Sequence, residues 1–514
     1  MRKMRKPPLF PISLSLTAAL LLSTPALSQQ MGQMAAAEHG HRYGRLLIRN
    51  VHVIDGNGTP TRGPMNIVVE EDRITAVGGR AGGSFDAVIE GEGRYVLPGF
   101  INMHVHLQDN RGGRPLPFQY QMNLWLASGI TTVRDVGSDI EKAKRLREDS
   151  AEGDIIAPRI FIYMRAGGAT EEEAREAVRQ VQQAGADGVK FFGMDAGPMA
   201  ALLDEAGKLG LRTAHHVGVE ETDVWDDIAG GTTSIEHWYG IPDAAIPYGS
   251  QNFPPDYNYN DELDRFRWAG RLFKDVDPEI MSKVLQGMAD AGVSWCPTLT
   301  IYEACRDVTR ARNQPWFEDY LHPSLAAYFQ PDLGSHGSFF LAWTTEDEIE
   351  WKHNYQLWFS TLMEFARRGG IICAGEDAGF IYRMYGFGLI RELELMQEAG
   401  FHPLDVIKHA TGNGALMLGK ENELGRVKAG FKADLILVNG NPQENFKLLY
   451  PTGTGVEIDG QHSWGGRVEW TIKDGFLYKG SILMEEVRRM VEEARSSEPP
   501  GLLGVSDPLE GIHY

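Results

Sequence analysis

Two histidines one residue apart, His104 and His106, close the stretch "RYVLPGFINMHVHLQDN" after an apolar climb through Val96, Leu97, Phe100 and Ile101. Side chains at i and i+2 of a strand face the same way, so this pair presents two imidazoles to one point. Four further apolar segments end in comparable chemistry: Lys190 in "GVKFFG", His215 with His216 in "RTAHHVG", His237 in "TTSIEHW" and Asp377 in "GIICAGED". Clustered histidines with a carboxylate suit zinc, manganese or iron. A lone H-x-H is weak: His39 and His41 repeat the spacing with no apolar strand ahead of them and read as solvated linker. The coincidence over five strand ends makes the pattern a metal site.

Something must bring those ends together. From Pro98 onward short apolar strands alternate with helical stretches, and eight strands can be counted: "GFINMHVH", "ITTVRDVG", "RIFIYMRA", "GVKFFG", "RTAHHVG", "TTSIEHW", "VSWCPTL" and "GIICAGED". Between the third and fourth, "ATEEEAREAVRQVQQAGAD" has the acidic first turn and terminal Gly of an amphipathic helix. Eight strand–helix units predict a TIM barrel, whose C-terminal strand ends converge on one mouth. Residues 240–292 and 302–368 are too long for single crossovers and rich in aromatic residues. Such insertions suit substrate enclosure or a homo-oligomer contact equally.

Alternating patterns in residues 45–97 and 425–480 predict strands at both chain ends, joined as one small β-sandwich flanking the barrel. The expected division is an export signal at 1–28, a linker at 29–44, sandwich portions at 45–97 and 421–480, the barrel at 98–420, and a C-terminal helix and tail at 481–514. The signal rests on the basic "MRKMRK", a short apolar region and small residues before Gln29, which predict a periplasmic or secreted protein without stable membrane insertion. A formal net charge of −20 argues against nucleic acid as a partner and leaves small molecules or short peptides. Three cysteines in 514 residues are no disulfide framework, and none has CxxC spacing.

Lys190 is flanked by Val189, Phe191 and Phe192, and a lysine rarely points inward without a partner. It is either half of a buried ion pair or a neutral amine, its pKa depressed by burial beside dications, able to capture carbon dioxide as a carbamate that bridges two metals.

These segments resemble the amidohydrolase superfamily, in particular its imidazolonepropionase-like and prolidase-like exported members. The likeness runs from about residue 45 to 480 through "VLPGFINMHVH", "GITTVRD", "GADGVKFF", "SIEHW", "CPTL", "LGRVKAGFKADLILVNGNP" and "KDGFLY". Asn102 and Glu376 stand where aspartate and threonine are more usual. The resemblance implies that His104, His106 and Asp377 hold one divalent metal, that His215 and His237 hold a second, and that carboxylated Lys190 bridges them. His216 competes with His215, since adjacent strand residues face opposite ways, and the family pattern favours His215. Zinc is preferred, with manganese or iron as alternatives.

Two such ions supply hydroxide near neutral pH, with Asp377 as general base and then general acid, or as a ligand only. Arg383 and Tyr385, in "FIYRMYGFG", are candidates to bind substrate; Arg134 is expected to pair with Asp135 or a neighbouring strand. The expected activity is hydrolysis of amide bonds in dipeptides, as in prolidases, or in N-acyl amino acids. Cyclic imides, lactones and phosphotriesters are the alternative substrates of the same site, and a non-catalytic binding barrel is the third reading.

Overall fold

Short apolar runs separated by Gly-stopped helices build a parallel sheet. The computed structural model describes residues 35–218, 222–247, 257–258, 262–332, 335, 337–338, 340, 343–458 and 461–497. The expected export signal at 1–28 and the tail beyond 497 lie outside the described residues.

Seven strands pair in parallel and in chain order: β1 (Phe100–Val105), β2 (Ile130–Val136), β3 (Arg159–Arg165), β4 (Gly188–Phe192), β5 (Arg212–His216), β6 (Ser234–Glu236) and β7 (Ser294–Cys296). The segment "GIICAGED" takes the eighth place without a regular ladder. On one side the Trp295 amide donates to the Ile371 carbonyl at 2.9 Å and the Cys373 amide to the Trp295 carbonyl at 3.0 Å. On the other, the Met103 amide donates to Ala374 and the Asp377 amide to His104, both at 2.9 Å. Gly375 permits this closure, because a Cβ there would lie 2.6 Å from the Cys296 sulfur and 2.8 Å from the His104 Cβ. The result is a nearly closed (β/α)8-type barrel.

The helices follow their caps. Glu171–Ala184 starts at a capping box between Thr170 and Glu173 and stops at left-handed Gly185. It turns Ala174, Val178 and Val181 to the barrel, and the cap alone stabilises by about 1 kcal/mol. The insertions are pinned by stacked rings. Trp238, just past β6, lies between Trp295 at 5.7 Å and Trp358 at 5.4 Å, the latter on the long helix Thr345–Arg367. Tyr302 stacks on Trp351 of the same helix at 5.9 Å.

Both chain ends meet in one nine-stranded sheet. Arg94–Pro98, which runs straight into β1, pairs antiparallel with Leu435–Asn439, so Val96 sits opposite Leu437. The strand Arg73–Gly78 at the far edge comes back on the same region, where the Ile74 amide donates to the Phe431 carbonyl at 3.0 Å. The sheet thereby wraps a core of its own, containing Ile48, Val51, Ile67, Leu435 and Leu477. Helix Gly480–Ser497 follows and buries Leu483, Val487 and Val491.

Candidate active site

The C-terminal strand ends surround a cavity of about 190 Å³ lined by His104, His106, Lys190, His216, His237 and Asp377, with Phe266, Tyr302 and Phe380 among its walls. Left-handed backbone at the strand ends aims several of these groups. His237 (φ 66°), Thr298 (φ 49°) and Asp377 (φ 47°) close β6, β7 and the eighth segment in a conformation uncommon for side-chain-bearing residues. Such strain clusters at functional sites. After Glu236 has turned inward, a regular strand would turn its neighbour outward; the left-handed step at His237 instead brings its ring to the cavity as well.

Two imidazoles are locked by their Nδ1 atoms. His104 Nδ1 meets Glu236 Oε2 at 2.6 Å, and His237 Nδ1 meets Thr298 Oγ1 at 2.6 Å. That leaves Nε2 of each facing Asp377, at 3.7 Å from Oδ1 and 3.9 Å from Oδ2 respectively. His106 Nε2 lies 3.2 Å from Oδ1. Burial drives the pKa of both His104 and His237 below the ordinary range, so the rings are neutral, the form that binds metal. Ligand atoms of His104, His237 and Asp377 all lie within 4.8 Å of one another.

Several buried polar atoms make no hydrogen bond, among them Asp377 Oδ1 and Lys190 Nζ. Orphaned polar atoms are expensive in a protein interior, and their convergence with neutral imidazoles fits a cation site. Burial lowers the Lys190 pKa to about 8, with Arg134 adding like-charge repulsion against the pull of Glu236. The neutral amine is therefore far more accessible near neutral pH than for an ordinary lysine.

A second grouping, His104 with Glu236 and Cys296, is also close enough for a metal. Glu236 is already committed: its Oε1 accepts from Arg134 Nη2 at 2.6 Å and from Ser234 Oγ at 2.7 Å. Burial raises the Cys296 pKa and keeps the thiol protonated, a poor ligand.

Three sequence expectations need correction. His215 does not face the cavity: its ring stacks on Phe191 at 4.1 Å and its Nδ1 lies 2.9 Å from Asp227 Oδ1. The register explains this, since Lys190 pairs with Ala214 and Phe191 with His215. Lys190, Ala214 and His216 therefore share the inner face, and His216 lies 4.6 Å from the His237 ring. Arg383 is turned away into a separate cavity, where it pairs with Glu303 at 2.9 Å. Tyr385 is fully buried, edge-on to Trp125 at 5.6 Å. Of the two partners expected for Arg134, the neighbouring strand is the one observed: its Nε donates to the Met103 carbonyl of β1 at 2.6 Å and its Nη2 to Glu236, while the Asp135 carboxylate accepts from the Leu107 amide at 3.2 Å.

The sequence reading missed Glu236 and Thr298, which orient the rings. Glu236 directly precedes His237 in "SIEHW", and a buried acid beside a ligand histidine was the available signal. The two departures from family pattern touch each other: Asn102 Oδ1 accepts from the Glu376 amide at 3.1 Å. Glu376 itself accepts from Trp125 Nε1 at 2.5 Å and from the Gly386 and Leu389 amides at 2.8 and 2.9 Å. It anchors the loop after Asp377 and does not enter the cavity.

The profile of the amidohydrolase family matches residues 95–245 and 369–461, the two stretches that carry these side chains. The chain belongs to the amidohydrolase superfamily, and it is a metal-dependent hydrolase acting on carbon–nitrogen bonds. It is 23% identical over 418 residues to a 5-methylthioadenosine/S-adenosylhomocysteine deaminase of Syntrophomonas wolfei, covering 77% of this chain and 85% of the relative. An imidazolonepropionase of Methylobacterium nodulans is 25% identical over 255 residues, 47% of this chain and 52% of the relative. Among solved structures, a Xaa-Pro dipeptidase with bound methionine superposes with TM-score 0.59 at 22% identity, over 85% of this chain and 100% of that one. A putative prolidase from Bifidobacterium longum gives 0.60 at 21% identity, over 87% of this chain and 100% of that one.

Proposed function

We propose that this hydrolase cleaves the amide bond of dipeptides, in the manner of a prolidase, or of N-acyl amino acids. The observation that carries the reading is the buried, unsatisfied Asp377 Oδ1 among three imidazoles, beside a buried lysine amine that also lacks a hydrogen bond. His104, His106 and Asp377 would hold one divalent ion, His237 and His216 a second, and Lys190, as its carbamate, would bridge them. Zinc is the preferred ion. When bound, such ions supply Lewis-acid charge and a water acidic enough to attack a carbonyl near neutral pH.

The chain's own residues do the rest. Asp377 accepts the proton of the attacking water on its Oδ1 side and returns it to the departing amine, general base and then general acid. Glu236 and Thr298 hold His104 and His237 in one tautomer, so their Nε2 atoms stay directed at the reacting centre. Phe266, Tyr302 and Phe380 line the cavity and limit bulk water there.

The deaminase relatives support a second reading, hydrolytic loss of ammonia from an amino-heterocycle at the same site. One assay separates the two. Zinc- or manganese-loaded protein in bicarbonate is given pooled dipeptides and N-acyl amino acids, and separately adenosine-type nucleosides, with chelator and Asp377→Asn controls. Amino acid release abolished in both controls is the expected result. Ammonia from nucleosides alone would replace the amidase reading with the deaminase one.

A further inference from the structure

Two cationic side chains line the catalytic cavity, Lys190 and Arg165, and the chemistry above uses only the first. Arg165 ends β3, and its Cα pairs with that of Lys190 across the sheet, so the two side chains stand abreast on the inner face. The guanidinium carbon lies 5.3 Å from the centre of the Phe192 ring. On its other flank is Gly137, where a Cβ would come within 2.6 Å of the arginine Nε. These contacts position the side chain without neutralising it.

The side chain is solvent-exposed at the cavity rim, and no neighbouring group among the described residues supplies a countercharge. Among the described residues Arg165 has no carboxylate in ion-pair range. Asp377, the acid of the same cavity, faces the histidines and is not in ion-pair range of Arg165. A polar cavity of about 460 Å³ adjoins the catalytic one, sharing His106, Gln108 and Arg165 with it, so the guanidinium stands on the boundary. Both aspartates there are committed, Asp109 to the Lys142 ammonium and Asp139 to the Lys142 amide at 2.9 Å.

A guanidinium resting on an aromatic face keeps its N–H edge free for a planar, bidentate acceptor, which a carboxylate matches. We infer that Arg165 binds the free carboxylate of the substrate and so restricts the enzyme to amides whose amine half is an amino acid with an open C-terminus. The inference rests on the amidase reading above and adds the group that the substrate must carry. A neutral imide, lactone or nucleoside would leave the cation unpaired.

The test compares Ala-Pro and N-acetyl-leucine with their C-terminal amides, using metal-loaded wild type, Arg165→Gln and Arg165→Lys. Steady-state kinetics are paired with calorimetric binding to the same three forms in an Asp377→Asn background, so binding is read without turnover. A hydrogen-bonded charge pair is worth a loss of about 10- to 100-fold. The expected result is a KM and Kd for the acids raised by that factor in Arg165→Gln, partly restored in Arg165→Lys, with kcat nearly unchanged. The wild type should prefer acids to amides by a similar factor, and Arg165→Gln should lose the preference. Equal binding of acid and amide by wild type, no acid binding at all, or a preference that survives in Arg165→Gln overturns the inference. Failure of the amidase reading shows separately, as absent amino acid release from both acids and amides.

Discussion

Two clusters of buried charge line separate cavities, one centred on Asp377 and the other on Glu303. Glu303 is saturated. Arg383 reaches it at 2.9 Å, the Arg391 Nη2 at 2.5 Å, and Arg310 at 3.7 Å. Burial alone would raise its pKa, but Arg383, Arg391 and Arg310 outweigh that and hold it at about 2. Asp377 instead faces His104 and His237, which burial keeps neutral, and its Oδ1 is left without a hydrogen bond. Permanent cations close a site, whereas neutral nitrogen donors leave a carboxylate's charge available to an ion from solution. The two acids thus differ above all in the identity of their partners, arginines for Glu303 and imidazoles for Asp377.

The sharpest way to break the contrast is to neutralise each acid in turn. Asp377→Asn should lower kcat by about a thousandfold or more while hardly moving the unfolding midpoint. Glu303→Gln should cost about 3 kcal/mol of stability, with near-normal kcat in the molecules that remain folded. Steady-state kinetics and urea titration of both variants decide it, and an Asp377→Asn protein that unfolds but stays active would reverse the assignment. Metal removal comes next. A chelator should abolish activity and remove the binding contribution to stability, about 2.7 kcal/mol for an ion at a hundredfold excess over its Kd, with a matching fall in melting temperature. Readdition of zinc should restore both, as calorimetry and activity can follow.

A third variant pair tests the parity of β5. His216→Ala should reduce bound metal, measured by elemental analysis, and cut activity about a hundredfold. His215→Ala should keep its metal and instead lose about 2 kcal/mol of stability, because Asp227 loses its buried partner. The smallest effect is on pH dependence. The folded pKa of Glu303, about 2, lies below the ordinary glutamate value of 4.5, so its contribution is present above 4.5 and disappears as pH falls toward 2. Glu303→Gln should flatten the fall of unfolding free energy across that window.

The sequence made the gathering of His104, His106, Lys190, His237 and Asp377 legible because each ends an apolar strand, and a barrel brings such ends together whatever the register. His215 against His216 was not legible, because the choice depends on which residue of β5 lies beside Lys190, a fact of pairing between strands. Arg383 and Tyr385 looked like substrate groups from their place just after Asp377. The left-handed backbone at Ile381 (φ 44°) and Tyr382 (φ 61°) accompanies a turn of the chain away from the cavity before they are reached. Glu236 and Arg134 were hidden for another reason: a charge pair inside a barrel is spelled by two polar residues on different strands, each unremarkable in its own segment. The eighth strand was expected from its apolar pattern, yet Gly375 and the left-handed Asp377 replace its ladder with single hydrogen bonds.

The pairing of Arg94–Pro98 with Leu435–Asn439 sets a schedule for synthesis. The strand that leads directly into His104 and His106 emerges from the ribosome early, but its neighbour in the chain-end sheet is made more than 300 residues later. At about 5–20 residues per second, the early strand waits tens of seconds with one edge unpaired. During that interval Val96 and Leu97 are exposed to any other strand that can add to them, so a nascent chain needs either a holding chaperone or slow enough collapse to keep that edge vacant. Stalling translation shortly before residue 435 should therefore leave a product that aggregates, even though almost the whole barrel has already been made.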